Sequence, residues 1–339
     1  MPRTTPLRDW LNRHFSRTYP DHQFLLEPAS ADASFRRYFR IALPDGSTRI
    51  VMDAPPEQED CRPFLKVAAL FRDAGAHVPE VYAEDLTQGF LLLSDLGTQT
   101  YLNALNSSTA SRLYQHANAA LIGIQQASQP EQLPAYDHAL LTRELNLFPD
   151  WYIARHLKLA LDDGQQKTLR SVFEKILANN LAQPKVFVHR DYHSRNLMVS
   201  GDDYPANPGI IDFQDAVYGP ITYDLVSLYR DAYISWEEKD ELDFVIRYWE
   251  MARQAGLPVH ADFHDFYRDY EWMGAQRQIK VLGIFARLCY RDGKAGYLKD
   301  MPRVMAYLRR TCERYLELKP FARLLDQLEN RHAAVGLTF

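Results

Sequence analysis

The stretch His189-Arg-Asp-Tyr-His-Ser-Arg-Asn196, followed by Ile210-Ile-Asp-Phe-Gln-Asp215, holds the residues best suited to chemistry. Asp191 and Asn196 stand five positions apart between two apolar runs, and Asp212 closes a third such run sixteen residues later. Short apolar runs bounded by turn formers read as strands, so three oxygen-bearing side chains converge where strands give way to loops. Phosphoryl transfer needs such a set: one carboxylate to orient an attacking hydroxyl and take its proton, and hard oxygen ligands for a magnesium ion beside the phosphates. On this reading Asp191 is the base, and Asn196 and Asp212 are the metal ligands. A second chemistry stays open: His189, Asp191 and His193 alternate along an extended chain and would ligate a metal for hydrolysis, leaving Asn196 and Asp212 without a role.

The elements that must position these residues fall into two groups. Strands are predicted at 186–189, 197–200 and 209–213, the last two forming a hairpin across the turn formers of 201–208. Helical periodicity occupies 108–127, 137–161 and 165–181 before the loop, and 221–233, 237–255, 262–292 and 301–318 after it. The first hundred residues differ. Phe35 to Leu43 and Thr48 to Ala54 flank Pro44-Asp-Gly-Ser47 as a hairpin, and Val78 to Ala83 with Phe90 to Ser94 make a second strand pair. Between them Phe64, Val67, Ala68 and Phe71 recur at helical spacing and stop at Gly75. The expected architecture is α+β and bilobal. A β-rich lobe with one main helix spans 1–96, and a larger, mainly helical lobe with the catalytic loop spans 97–339.

The catalytic stretch resembles the aminoglycoside phosphotransferase and choline kinase branch of the protein-kinase-like superfamily, whose loop reads His-x-Asp-x-x-x-x-Asn and whose metal-binding Asp follows in an Ile-Asp-Phe context. The resemblance implies a protein-kinase-like fold, ATP and Mg2+ as cofactors, and a small-molecule acceptor. It makes Phe90-Leu-Leu-Leu-Ser-Asp-Leu-Gly97 the linker between lobes, with the Ser94 carbonyl and Leu96 amide on the adenine edge. His189 would hydrogen-bond within the catalytic loop, and Asp224, in Gly219-Pro-Ile-Thr-Tyr-Asp-Leu225, would brace it. Two features depart from the family. The loop over the phosphates would be Ala29 to Ser34, with no Gly-x-Gly-x-x-Gly, and Met52 stands where the third strand usually carries Lys or Arg. Arg36 and Arg40, on the strand face opposite Arg37, could supply that charge, with Glu57 and Glu59 organising it; the alternative is a solvated edge strand.

Ser34-Phe-Arg-Arg-Tyr-Phe-Arg40, Val51-Met-Asp-Ala-Pro-Pro-Glu57 and Glu144-Leu-Asn-Leu-Phe-Pro-Asp-Trp151 are similar to a subfamily of anomeric amino-sugar kinases of bacterial cell-wall recycling. That implies transfer of the ATP γ-phosphoryl group to the anomeric hydroxyl of N-acetylmuramate or N-acetylglucosamine. Candidate sugar contacts are Tyr192, Arg143, Glu144 and Trp151, the last two seven apart on one predicted helix face; an amphipathic helix with a core tryptophan is the alternative. Arg277 and Lys280 either meet an acidic group of the sugar or line a solvated face. Two rival functions stay open: a kinase of another small alcohol, aminoglycoside- or choline-like, and an inactive nucleotide-binding regulator, suggested by Met52 and the missing glycine-rich loop.

Composition narrows the partners. The 339 residues are 46% apolar and 24% charged, an ordinary globular balance. A net charge of −5 provides no broad positive field for nucleic acid or anionic lipid. Cys61, Cys289 and Cys312 are too few and too scattered for a disulfide framework or a zinc cluster. The start lacks a signal-peptide core, and no run approaches the ~18 apolar residues of a membrane span. The expectation is a cytoplasmic protein whose partners are ATP and a sugar, without nucleic acid, membrane or obligate protein partner.

Overall fold

The computed structural model describes residues 3–20, 22–29, 35–203 and 205–329. Helix α1 (Thr4–Phe15) opens the chain and buries Leu7, Trp10, Leu11 and Phe15, a single apolar stripe. It was not foreseen, because its other residues are polar and the stripe is short. Five antiparallel strands follow: β1 (Glu27–Pro28), β2 (Arg37–Ala42), β3 (Thr48–Asp53), β4 (Val81–Asp85) and β5 (Phe90–Ser94), in the spatial order β1-β2-β3-β5-β4. The β2–β3 hairpin runs in register from Arg37 opposite Asp53 to Ala42 opposite Thr48, with Gly46 at φ 85 in the turn, as predicted. The second pair, β4–β5, starts three residues later than expected, after Pro79. Its turn needs glycine, since Gly89 has φ 72 and a Cβ there would lie 1.8 Å from the Ala54 carbonyl oxygen.

Strand alternation gives the sheet two buried faces. Ile41, Val51, Phe90 and Leu92 pack on α1, whereas Met52, Leu91 and Leu93 join Phe64, Val67 and Phe71 of α2 (Arg62–Asp73) in the main core, which continues into the helical part. Met52 is thus a core residue between Tyr38 and Leu91.

After the sheet come α3 (Tyr101–Ala104), α4 (Ala110–Gln126), α5 (His138–Leu145), a π-helical segment (Phe148–Leu157) and α6 (Asp163–Ala182). The single helix expected over 137–161 is broken, because Pro149 removes a donor and restrains the residue before it. Here the backbone of Leu147 lies so close to Gly283 that a Cβ there would sit 2.5 Å from it. Strands β6 (Lys185–Val188), β7 (Leu197–Met198), β8 (Gly209–Ile210) and β9 (Val217–Pro220) form two small ladders. β7 pairs with β8 as predicted, and β6 pairs with β9, a strand that Gly219 and Pro220 concealed in the sequence. Helices α7 (Tyr223–Tyr229), α8 (Glu238–Gln254), α9 (Phe263–Tyr290), α10 (Met301–Arg314) and α11 (Lys319–Leu328) complete the molecule.

The 28-residue α9 is the spine, packed against α6, α7, α10 and the π-helical segment. Fully buried Arg230 ties four helices: Nε to Glu241 (2.6 Å), Nη2 to Glu271 (2.9 Å) and Nη1 to the Thr311 hydroxyl (2.9 Å). Such a pair is tolerable only with every donor near a partner. Among the described residues no helix is long and apolar enough to cross a membrane.

Candidate active site

The loop between β6 and β7 is held from below by Asp224, in the first turn of α7. The backbone N–H groups of His189 and Arg190 donate to its two oxygens at 2.7 and 3.0 Å, with Arg190 in the left-handed region at φ 77. Burial pushes the Asp224 carboxyl up to about 7, against those two donors, which favour its ionised form. The His189 ring lies inside the loop, with Nε2 3.0 Å from the Ile211 carbonyl and Nδ1 accepting the Asp191 N–H at 3.2 Å. These contacts specify one neutral tautomer, and burial accordingly lowers its pKa to about 4.

That depression carries a sign. The folded state releases the His189 proton at a lower pH than an unfolded chain does, so stability falls as pH drops from about 6.5 toward 4, by on the order of 2 kcal/mol at pH 5. His189→Gln keeps a donor for Ile211 and removes the titration. Denaturant unfolding at pH 7 and pH 5 should show a smaller loss in the variant than in the wild type, and equal losses would refute the assignment.

Asn196 Nδ2 donates to the Asp191 carbonyl at 3.0 Å and to Asp212 Oδ2 at 3.3 Å. Both partners are acceptors, so the nitrogen faces them and the amide oxygen is left for a cation. Asp212 lies two residues beyond β8 at φ 64, and its Oδ1 accepts from Gln214 Nε2 at 2.8 Å. A carboxylate and an amide oxygen on neighbouring turns are hard donors suited to magnesium.

Asp191 keeps 45% of its side-chain surface accessible. Desolvation in its crowded cleft works against ionisation, but Lys280, His193, Arg277 and Arg190 outweigh it and hold the pKa at about 2. Lys280 and Arg190 belong to a buried cluster. Glu144 of α5 receives the Tyr136 hydroxyl, the Arg190 guanidinium and Lys280 Nζ (3.0 Å), while Lys280 also donates to the Tyr223 hydroxyl at 2.8 Å. Arg277 Nη2 stands 3.9 Å from Asp191 Oδ1.

On the sheet side Arg36 pairs with Glu59 at 2.9 Å. Arg40 grips Asp95, with Nη2 2.9 Å from Oδ1, and reaches the Gly97 carbonyl at 3.0 Å; Thr48 Oγ1 adds a 2.7 Å bond to the same carboxylate. Ser94 closes β5 opposite Arg49, and two residues on the Leu96 N–H makes no hydrogen bond among the described residues.

The chain matches the phosphotransferase enzyme family over residues 26–263, which is more than half of its length. The chain belongs to that family. Among this phosphotransferase's curated relatives is an N-acetylmuramate/N-acetylglucosamine kinase of Pseudomonas aeruginosa, 52% identical over 89% of this chain and 88% of the relative. Another protein of that description, from Neisseria meningitidis, is 47% identical across the whole of both chains. A solved structure of the ADP-bound aminoglycoside phosphotransferase APH(2'')-Ib superposes with a TM-score of 0.59 at 13% identity, covering 90% of this chain and 97% of that one. The fold is therefore the bilobal, protein-kinase-like arrangement expected from the catalytic loop.

Several expected site residues of this phosphotransferase need correction. Arg40 is no free phosphate cation, because Asp95 and Gly97 hold its guanidinium at the linker. Tyr192 is fully buried, with its hydroxyl on the Ala117 carbonyl (2.9 Å), so it forms core beneath the loop instead of a sugar contact. Glu144 is committed to Tyr136, Arg190 and Lys280. The face shared by Glu144 and Trp151 dissolves with the helix break: Trp151 packs part-buried on the π-helical segment, and Arg143 is exposed. Ser34 lies outside the described residues. Arg277 and Lys280, read as an open choice between a ligand contact and a solvated face, are buried beside Asp191. Sequence reasoning missed Arg190, Tyr136 and Tyr223 altogether; the available signal for their cluster was the polar run Gln276-Arg-Gln-Ile-Lys280 set between the apolar stretches Trp272-Met-Gly-Ala275 and Val281-Leu-Gly-Ile-Phe285.

Proposed function

We propose that this phosphotransferase moves the γ-phosphoryl group of ATP to the anomeric hydroxyl of an N-acetylated amino sugar, N-acetylmuramate or N-acetylglucosamine. The observation that carries the reading is the convergence of Asp191, Asn196 and Asp212, in a chain 52% identical to a kinase named for those sugars. The acceptor hydroxyl sits against Asp191, its oxygen forms the new bond to phosphorus in line with the departing ADP oxygen, and its proton passes to the Asp191 carboxylate. Magnesium, when bound by Asn196 and Asp212, neutralises charge on the phosphates. Leu96 N–H and the Ser94 carbonyl meet the adenine edge, and Arg36, oriented by Glu59, takes the place of the strand cation that Met52 lacks. Residues 1–96 and 97–339 act as the two lobes, and a chain that draws on ATP works in the cytoplasm.

An anomeric hydroxyl is more acidic than an ordinary sugar alcohol, so a base with a pKa of about 2 serves chiefly by orientation and late proton capture. The test is phosphorus and proton NMR of the product formed from each sugar with ATP and magnesium. Phosphorus coupling to the anomeric proton is expected. A 6-phosphate, or transfer only to an aminoglycoside or a choline-like alcohol, would overturn the assignment of acceptor.

A further inference from the structure

Three cations surround the base, and they differ in how they are matched. Arg190 and Lys280 both lie against Glu144, and Lys280 has the Tyr223 hydroxyl as well. Among the described residues Arg277 has no such partner. The residue is 5% exposed and its Nε makes no hydrogen bond among the described residues; Asp224 feels its charge from farther off, and the one carboxylate oxygen within 4 Å is Asp191 Oδ1 at 3.9 Å, beyond hydrogen-bond reach. A guanidinium keeps its charge when buried and presents a planar fork suited to a carboxylate. A buried guanidinium without a hydrogen-bonded partner for its Nε, beside an accessible carboxylate, is suited to pairing with an anion.

We infer that Arg277 receives the carboxylate of an acidic acceptor sugar and sets the preference of this enzyme for N-acetylmuramate over its neutral counterpart, an inference that rests on the sugar-kinase reading above. The acceptor hydroxyl must lie within about 3 Å of the Asp191 carboxylate. A guanidinium 3.9 Å from that same carboxylate therefore borders the sugar ring, where a lactyl ether on the third carbon can bring its carboxylate to the fork. Arg277 also reaches the site from α9, which packs on helices, whereas the sheet side carries its own cation in Arg36. The acceptor is accordingly the substrate that meets Arg277.

The test compares both sugars in wild type and Arg277→Gln. Because Arg277 helps hold the Asp191 charge, some loss is common to both acceptors and cancels in their ratio. The expected result is that kcat/KM falls roughly 30-fold or more further for N-acetylmuramate than for N-acetylglucosamine, mainly in KM, and that Arg277→Lys recovers part of the difference. A measurement free of any variant uses N-acetylmuramate with its carboxylate converted to the amide: wild-type enzyme should discriminate against the amide by a similar factor. Equal losses for both sugars, or wild-type indifference between acid and amide, would overturn the inference. Wild-type enzyme that phosphorylates neither sugar would overturn the functional reading instead.

Discussion

Asp191→Asn should lower kcat by several powers of ten while the dissociation constant of magnesium–ATP changes by no more than about threefold. The amide keeps the size of the carboxylate and can still accept a hydrogen bond, but it cannot take the acceptor's proton. Nothing that shapes the loop depends on that side chain. The backbone is held by Asp224 through His189 and Arg190, and Asn196 grips the Asp191 carbonyl, which the substitution leaves in place. The nucleotide site should therefore survive. Steady-state kinetics with either sugar, beside calorimetric titration of nucleotide, checks both halves, and a fall in nucleotide affinity as large as the fall in kcat would remove Asp191 from the role of base.

Asp212→Asn should produce the complementary result. A full negative charge is exchanged for a neutral amide at the proposed metal site, so nucleotide binding in the presence of magnesium should weaken by about 100-fold, the size expected for losing a charged ligand. Without magnesium, wild type and variant should bind ATP alike. Asparagine tolerates the left-handed conformation that Asp212 adopts, so backbone strain does not confuse the comparison. Titrations with and without the metal measure the difference directly. A loss of equal size in both titrations would mean that Asp212 supports the pocket rather than the ion.

The residues legible in the sequence were those whose roles depend on local spacing. Asp191, Asn196 and Asp212 sit at strand ends, and Asp224 opens the helix behind them, so a linear motif carried their geometry. Glu144 was recognised but misplaced, because its partner Arg190 lies 46 positions away. Arg277 and Lys280 fell on a polar stretch that looks solvated by periodicity alone. Only the packing of α9 between α6, α7 and the π-helical segment turns that stretch inward. The same limit hid α1, whose four apolar residues acquire meaning from the sheet they cover. The helix expected over 137–161 was placed but not its break at Pro149, and β9 was missed because it is four residues long and holds Gly219 and Pro220.

Arg190 and Asp212 both adopt positive φ, a conformation in which an L side chain costs about 1 kcal/mol and glycine almost nothing. Against a net stability of about 5–15 kcal/mol for a folded domain, the two together are a noticeable concession. A chain selected only for durability would drift toward glycine or asparagine at Asp212, while the buried pair with Glu144 would hold Arg190 in place. Efforts to make this protein more heat-resistant will be drawn to both positions; at Arg190 the lost pairing with Glu144 outweighs the relieved strain, whereas at Asp212 a gain in melting temperature should coincide with loss of turnover.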